Sequence, residues 1–366
     1  MPEVKNQTGS RASDLAIGEN VPLAPMTTLG MGGPARYFAE ITNAEDLSAG
    51  IRWARARNLP LFVLGGGSNI VVADAGFPGL VLRVSIRGMD IRLENDAATV
   101  TAGAGEEWDP LVATCVQSNY AGIECLSGIP GRIGATPIQN VGAYGQEFSE
   151  TIVSVDAIDL ATGRPTRMPA HECGFGYRTS RFKTSDRDRY IITGVTYRLA
   201  INGRPAVRYP ELRAYLDETG LSDGRLTDVR DAVLAIRRRK AMVTDPAEPD
   251  SRSVGSFFVN PVVSPEEFEQ IKARIGAFLK QGEAIPTFPT PEGQVKIPAA
   301  WLIERAGFRR GHIRGNVGLS TKHPLAIINR GGGTAREVAD LAAEIRGRVF
   351  EVYGITLTPE PIFVGN

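Results

Sequence analysis

Apolar positions recur along this chain with two periods, and the changes between them mark out three units. Thr42 followed three residues later by Glu45 has the form of a capping box, and Leu47, Ile51 and Ala54 then repeat at helical spacing. This predicts a helix running to about Asn58, stopped by Pro60. The short apolar runs Leu61–Leu64, Ile70–Val72 and Leu80–Val84 read as strands, so a first α+β unit extends from near Val21 to near Arg87. From Gly88 to about Leu199, β-rich runs at Ala98–Ala102, Thr151–Leu160 and Arg189–Leu199 alternate with glycine loops. One helix, Trp108–Asn119, interrupts them. Between Arg208 and about Lys240, Val229, Ala232, Val233 and Ile236 share one helical face, with Thr227 as the expected N-cap. The Pro- and Asp-containing stretch Asp245–Ser253 reads as a loop and a domain boundary. A third α+β unit follows, with helices around Pro265–Lys280 and at Ala299–Ala306. A last helix opens on a second capping box, Thr334 with Glu337, and runs to Tyr353. There is no internal repeat and no low-complexity tract.

The composition narrows the function classes. A length of 366 residues exceeds what one hydrophobic core supports, in keeping with several units. Basic and acidic residues both number 41, which gives no overall electrostatic footprint for nucleic acid or membrane. Cys115, Cys125 and Cys173 are odd in number and form no CxxC pair, so a disulfide framework is not expected and a reducing compartment is. The three histidines, His171, His312 and His323, lack metal-ligand spacing, and no metal site is expected. The first twenty residues have no apolar h-region and read as a flexible polar arm. No run reaches the roughly 18 apolar residues of a membrane span, and a cytoplasmic location is expected.

Three glycine clusters compete as phosphate binders. Gly30-x-Gly32-x-x-Ala35 lacks a preceding strand, contains Pro34 and is followed late by a helix, so it fails the geometry of a dinucleotide fingerprint. Gly331-Gly332-Gly333 leads into a helix and reads as an αβ turn. Gly65-Gly66-Gly67-Ser68-Asn69 differs, because it directly follows a strand and its backbone N–H groups have no Cβ in the way of a phosphate. Residues 127–145 add a nineteen-residue loop with five glycines and almost no charge. Such a segment is expected to pack against something large, a cofactor or its own Ω-loop interior.

Taken with Gly-Ile-Pro-Gly at 128–131 and Gln-Asn-Val-Gly-Ala-Tyr-Gly at 139–145, the Gly65–Asn69 loop resembles the FAD-binding half of the UDP-N-acetylenolpyruvoylglucosamine reductase family. Phe-Gly-Tyr-Arg-Thr-Ser-Arg-Phe-Lys at 175–183 is similar to the Tyr-Arg-x-Ser-x-Phe-Lys motif of that family. Gly-Ser-Phe-Phe-Val-Asn-Pro at 255–261, Lys-Ile-Pro-Ala-Ala-Trp-Leu-Ile-Glu at 296–304 and Leu-Thr-Pro-Glu at 357–360 follow in order, so the likeness runs from about Thr27 to Gly365. The resemblance implies an α+β protein: a two-subdomain FAD-binding fold of the vanillyl-alcohol-oxidase/PCMH type plus a third α+β substrate-binding domain. The divisions expected on that basis are an arm over 1–20, FAD-binding subdomains over 21–87 and 88–245, a substrate-binding domain over 246–355, and a terminal segment over 356–366 carrying a catalytic glutamate. FAD contacts are implied for Gly65, Gly66, Gly67, Ser68, Asn69, Gly128, Ile129, Pro130, Gly131, Gly134, Ala135, Gln139, Asn140, Gly142 and Ala143. Neither glycine segment holds a histidine, so FAD is expected to be non-covalent.

The reaction so implied is NADPH-dependent reduction of the enolpyruvyl double bond of UDP-N-acetylglucosamine enolpyruvate to UDP-N-acetylmuramate, a peptidoglycan precursor. By motif position Arg178 grips the substrate carboxylate, Glu360 stands beside it in protonated form, and Ser256 donates a proton to the carbanion. Tyr144, Tyr177, Tyr209, Lys240, Asn260 and Lys296 match substrate-binding positions. Arg237, Arg238 and Arg239 read more simply as cations opposing a helix dipole, and Lys240 admits both readings. His323 reads as a satisfied surface histidine, and Cys115 as core. A monomer is expected, with NADPH and the sugar nucleotide as its partners. Two alternatives remain at this stage: an FAD-dependent oxidase of the same fold, or a non-catalytic sugar-nucleotide-binding homologue.

Overall fold

The computed structural model describes residues 15–275, 284–290 and 292–365. Residues 1–14 of the expected arm and 276–280 of the expected helix lie outside the described residues. In the first unit a four-stranded sheet runs in the order Gly18–Pro22, Pro34–Ile41, Phe77–Val84, Leu61–Leu64. Its last three strands are parallel. Pairing starts at Gly18, three residues before the expected beginning, and Leu15 and Ile17 already pack on the core. Helix α1 (Ala44–Ala56) covers the sheet with Leu47, Ile51 and Ala54 buried. Its N-cap is Asn43, whose side chain accepts from Asp46 N at 2.8 Å, whereas Thr42 bonds the Asp46 carboxylate instead.

The second unit is a six-stranded antiparallel sheet. Its main path is Pro165–Pro169, Ile152–Asp159, Tyr190–Ile201, Ala97–Gly103, Met89–Glu94, with Tyr120–Ala121 added beside Tyr190–Ile201. Helix α2 (Trp108–Gln117) lies on it. Trp108, Phe148 and Tyr197 meet there with ring centroids 5.5–6.3 Å apart, and Cys115 is buried among them as expected. A continuous apolar cluster joins both sheets with α1 and α2, so the first two units are fused through one core.

The stretch expected to hold one amphipathic helix forms two, α3 (Pro210–Thr219) and α4 (Leu226–Arg239), which pack together around Leu212, Leu216, Val229 and Val233. Arg225 occupies the N-cap position of α4 in place of Thr227. Asp228 in the first turn takes Ser222 N and the Arg225 guanidinium, which organises the helix start without a side-chain cap.

The third unit gathers α5 (Pro265–Ile275), α6 (Ala299–Arg305) and α7 (Ala335–Tyr353) with small antiparallel sheets around a separate core. Helix α7 opens with the expected capping box of Thr334 and Glu337. The Gly331–Gly333 turn before it is closed by Asn329 Oδ1, which accepts from Gly331 N and Gly333 N at 3.0 Å each. The chain end then returns: Ile362–Val364 pairs in parallel with Ile70–Val72 of the first unit. Among the described residues no helix is long and apolar enough to cross a membrane.

Candidate active site

The cleft that holds the candidate chemistry is walled on one side by glycine loops. Gly65–Asn69 connects the strand Leu61–Leu64 to Ile70–Val72, and residues 129–131 press against it. A Cβ on Gly66 would stand 2.7 Å from Gly131 Cα, so only the absence of side chains lets the two backbones meet. Ile129, Pro130, Gly131, Ala135, Gln139, Gly142 and Ala143 also line this cleft. Gly128, Gly134 and Asn140 do not line it, and each has a packing reason to be where it is. Gly128 N donates to Asp109 Oδ1 at 2.6 Å, and Gly134 lies against Ala104. Asn140 is buried and bonds Glu147 Oε2 and Gly176 O.

The rest of the lining is built of side chains from distant segments. Arg178 sits in a tight turn closed by Gly176 and Thr179 with φ +54°, a left-handed conformation that costs a non-glycine residue on the order of 1 kcal/mol. Its guanidinium donates to Gly142 O at 2.5 Å and Asn140 O at 3.5 Å. Its Nε stands 3.7 Å from Glu360 Oε1. Lys183 Nζ donates to the Arg178 carbonyl at 3.3 Å and shares the cleft. The segment carrying Ser256 is held between two neighbours, because Phe257 N donates to Leu325 O at 2.7 Å and Glu360 N donates to Phe257 O at 2.8 Å. Asn69 Nδ2 reaches Gln139 Oε1 at 2.8 Å and the Glu360 carbonyl at 3.3 Å, tying the glycine wall to the glutamate.

Burial drives the Glu360 carboxyl above its ordinary range, with Arg178 and Lys183 opposing. Burial also lowers Lys183, to which Arg178 contributes. These shifts favour a neutral carboxylic acid next to a fixed cation, an arrangement suited to hydrogen-bonding another carboxylate.

Six residues matched to substrate-binding positions form two groups. Tyr177 and Asn260 line a second cleft with Arg178 and Lys183. Lys296 Nζ lies 4.7 Å from the Tyr177 ring centroid, and Asn260 Oδ1 accepts from Ala299 N at 2.9 Å at the start of α6. The other group is Tyr144, Tyr209 and Lys240. The two tyrosine rings meet edge-on at 5.6 Å, and Lys240 Nζ pairs with Glu211 Oε2 at 2.6 Å. Burial raises the Tyr144 hydroxyl to about 12.

Arg237 and His323 have surroundings that their local sequence does not announce. Arg237 stands in the last turn of α4, where a cation opposes the helix dipole as expected. It is buried on α4, donates to Met242 O at 2.6 Å and lines the cleft, with Nε left without a hydrogen-bond partner. His323, expected to be a satisfied surface histidine, is instead half-buried, with Nε2 3.3 Å from Ser256 Oγ. Charge at the end of an amphipathic helix signalled nothing about Arg237. Lys183, by contrast, was visible within the motif at 175–183.

A glycine cradle that a Cβ would fill, an orphaned buried guanidinium nitrogen and a largely uncharged wall fit a large flavin cofactor with an anionic pyrophosphate. The family model of an FAD binding domain matches residues 35–168, and that of the UDP-N-acetylenolpyruvoylglucosamine reductase C-terminal domain matches residues 245–364. The curated UDP-N-acetylenolpyruvoylglucosamine reductase of Thermobifida fusca is 49% identical over 356 residues, covering 96% of this chain and 98% of its own length. This chain belongs to the UDP-N-acetylenolpyruvoylglucosamine reductase family. The reductase of Mycobacterium marinum is 44% identical with 99% of each chain covered. The crystal structure of UDP-N-acetylenolpyruvylglucosamine reductase from Thermus caldophilus is 25% identical, covers 96% of this chain and 99% of its own, and has a TM-score of 0.64. The protein is therefore an oxidoreductase with an FAD-binding domain, built on the expected α+β flavin-binding fold with an added third unit.

Proposed function

We propose that this enzyme uses NADPH to reduce the enolpyruvyl double bond of UDP-N-acetylglucosamine enolpyruvate, yielding UDP-N-acetylmuramate. The observation that carries this reading is the convergence of Arg178, Ser256 and Glu360, from three remote segments, on one cleft with the glycine loops. Those loops, with Arg237 beside them, would hold FAD non-covalently, and the flavin would supply the hydride chemistry when bound.

The remaining work falls to side chains of this chain. Hydride addition leaves negative charge on the adjoining carbon and its carboxylate. Arg178 presents paired N–H donors to that carboxylate, its plane fixed by the carbonyls of Gly142 and Asn140. Neutral Glu360 donates a further hydrogen bond, avoiding the repulsion two carboxylates would suffer. Such preorganised donors contribute several kcal/mol where charge develops. Ser256 then gives its proton to the carbon. Serine is a weak acid, yet a carbanion is basic enough to take that proton. Tyr177, Asn260 and Lys296 on one side, and Tyr144, Tyr209 and Lys240 on the other, hold the sugar nucleotide. Residues 21–87 and 88–245 bind the flavin, residues 246–355 close over the substrate, and 356–366 bring in Glu360.

The test is direct. Purified protein is expected to show a flavin absorption spectrum that anaerobic NADPH bleaches and that the enolpyruvyl sugar nucleotide restores with formation of UDP-N-acetylmuramate. Protein reduced by an alcohol and indifferent to NADPH contradicts the proposal.

A further inference from the structure

A proton donor needs something to hold its lone pairs while its hydrogen faces the substrate. Ser256 lines the cleft, whereas His323 lies outside that lining with Nε2 3.3 Å from Ser256 Oγ. The turn that carries His323 is pinned from below. Asp250, itself buried, accepts from Ser320 Oγ at 2.8 Å, Thr321 N at 2.7 Å and Thr321 Oγ1 at 2.7 Å. Ser320 Oγ in turn accepts from Lys322 N at 3.0 Å and His323 N at 3.2 Å. Phe257 N donates to Leu325 O at 2.7 Å, so serine and imidazole hang on one backbone frame.

The charged groups acting on the imidazole are Lys240 just after α4, Arg310 from the segment after α6 and Arg237 from α4, all cations. Burial first, and these cations next, lower its pKa from 6.5 to about 4. The ring therefore stays neutral at physiological pH. A neutral imidazole presents one N–H and one lone pair. If Nε2 accepted from Ser256, the serine hydrogen would point away from the cleft and be useless to substrate.

We infer that His323 is the positioning residue for Ser256: its Nε2–H donates to Oγ, turns the serine hydrogen toward the cleft and stabilises the alkoxide formed when that hydrogen leaves. The inference rests on the proposed role of Ser256 as proton donor. In the step, the Oγ–H bond breaks, its electron pair stays on Oγ, and the carbanion's pair forms the new C–H bond. Water later returns a proton to Oγ, leaving hydroxide. Because the ring stays neutral, the donor on Nε2 keeps one protonation state across the working pH range.

The test uses FAD-loaded His323→Phe and His323→Gln, the second keeping an N–H near the place of Nε2. Phe is expected to slow substrate-driven flavin reoxidation about 100-fold, with reduction by NADPH within about twofold of the parent; Gln is expected to recover the rate to within about tenfold. Nitrogen-15 NMR of the resting parent enzyme at pH 7 is expected to show a neutral ring protonated at Nε2. Unimpaired reoxidation in His323→Phe, equal slowing of both half-reactions, Gln no better than Phe, or a ring protonated at Nδ1 overturns the inference. Unimpaired reoxidation in Ser256→Ala, with the Nε2–H tautomer still present, would instead remove the serine role beneath it.

Discussion

The two walls of the cleft are made in opposite ways. The glycine wall is backbone, assembled from two short stretches whose chemistry lies in missing side chains, and Gly66 meets Gly131 because neither carries a Cβ. The polar wall is side chain, assembled from Arg178, Ser256 and Glu360 on three segments that only the tertiary fold unites, with His323 behind Ser256. A backbone wall fails by steric intrusion, and its loss removes the cofactor. A side-chain wall fails one charge or proton at a time, with the cofactor still in place.

That difference can be broken from either side, and the largest effect should come from the glycine wall. Gly66→Val puts branched carbon into the backbone of Gly131, and we expect flavin affinity to fall at least about 100-fold. Absorbance of the purified protein reports this, and a fully yellow, folded variant would refute the cradle. Arg178→Lys keeps the charge and loses the fork. A drop of about 100-fold in kcat/KM is expected with normal flavin content, and near-parent turnover would count against carboxylate gripping. Glu360→Gln separates charge from hydrogen bonding. Because the working group is a neutral donor, Gln should retain activity to within about tenfold while Glu360→Ala loses about 100-fold or more. Equal loss in both variants would mean that an ionised carboxylate is required.

The smallest effect concerns stability. His323 titrates near 4 when folded and near 6.5 when unfolded, so between those values the unfolded chain holds more protons. Stability from this residue is therefore intact above about pH 6.5 and erodes as pH falls toward about 4, by at most about 3 kcal/mol. Urea unfolding across this window should be less acid-sensitive in His323→Phe than in the parent. Identical slopes would place the imidazole in solvent. Glu360 works with the opposite sign: its raised folded pKa stabilises at low pH and is lost as pH rises through that value.

What could be read without coordinates follows the same division. Periodicity located α1, α2, α6 and α7, because amphipathic spacing and capping boxes are local signals. Caps were less legible: Asn43 displaced Thr42 once the Thr42 hydroxyl found the Asp46 carboxylate, and Arg225 with Asp228 replaced Thr227. The glycine loops stood out by composition. Arg178, Ser256 and Glu360 were reachable only through family motifs, since nothing local distinguishes them from ordinary polar residues. The pairing of Ile362–Val364 with Ile70–Val72 left no sequence trace, and it brings Glu360 to Asn69 across 291 positions. The burial of Arg237 and the Ser256 contact of His323 left no local signal either, because their surroundings come from elements remote in the chain.

The role of Ser256 is tested most directly by following the flavin of Ser256→Ala in two anaerobic mixing experiments, one with NADPH and one with the enolpyruvyl sugar nucleotide after reduction. Bleaching at the parent rate, followed by recovery of the yellow colour slowed by three orders of magnitude or so, is the predicted result. Recovery as fast as in the parent enzyme, or bleaching slowed to the same degree, would contradict it.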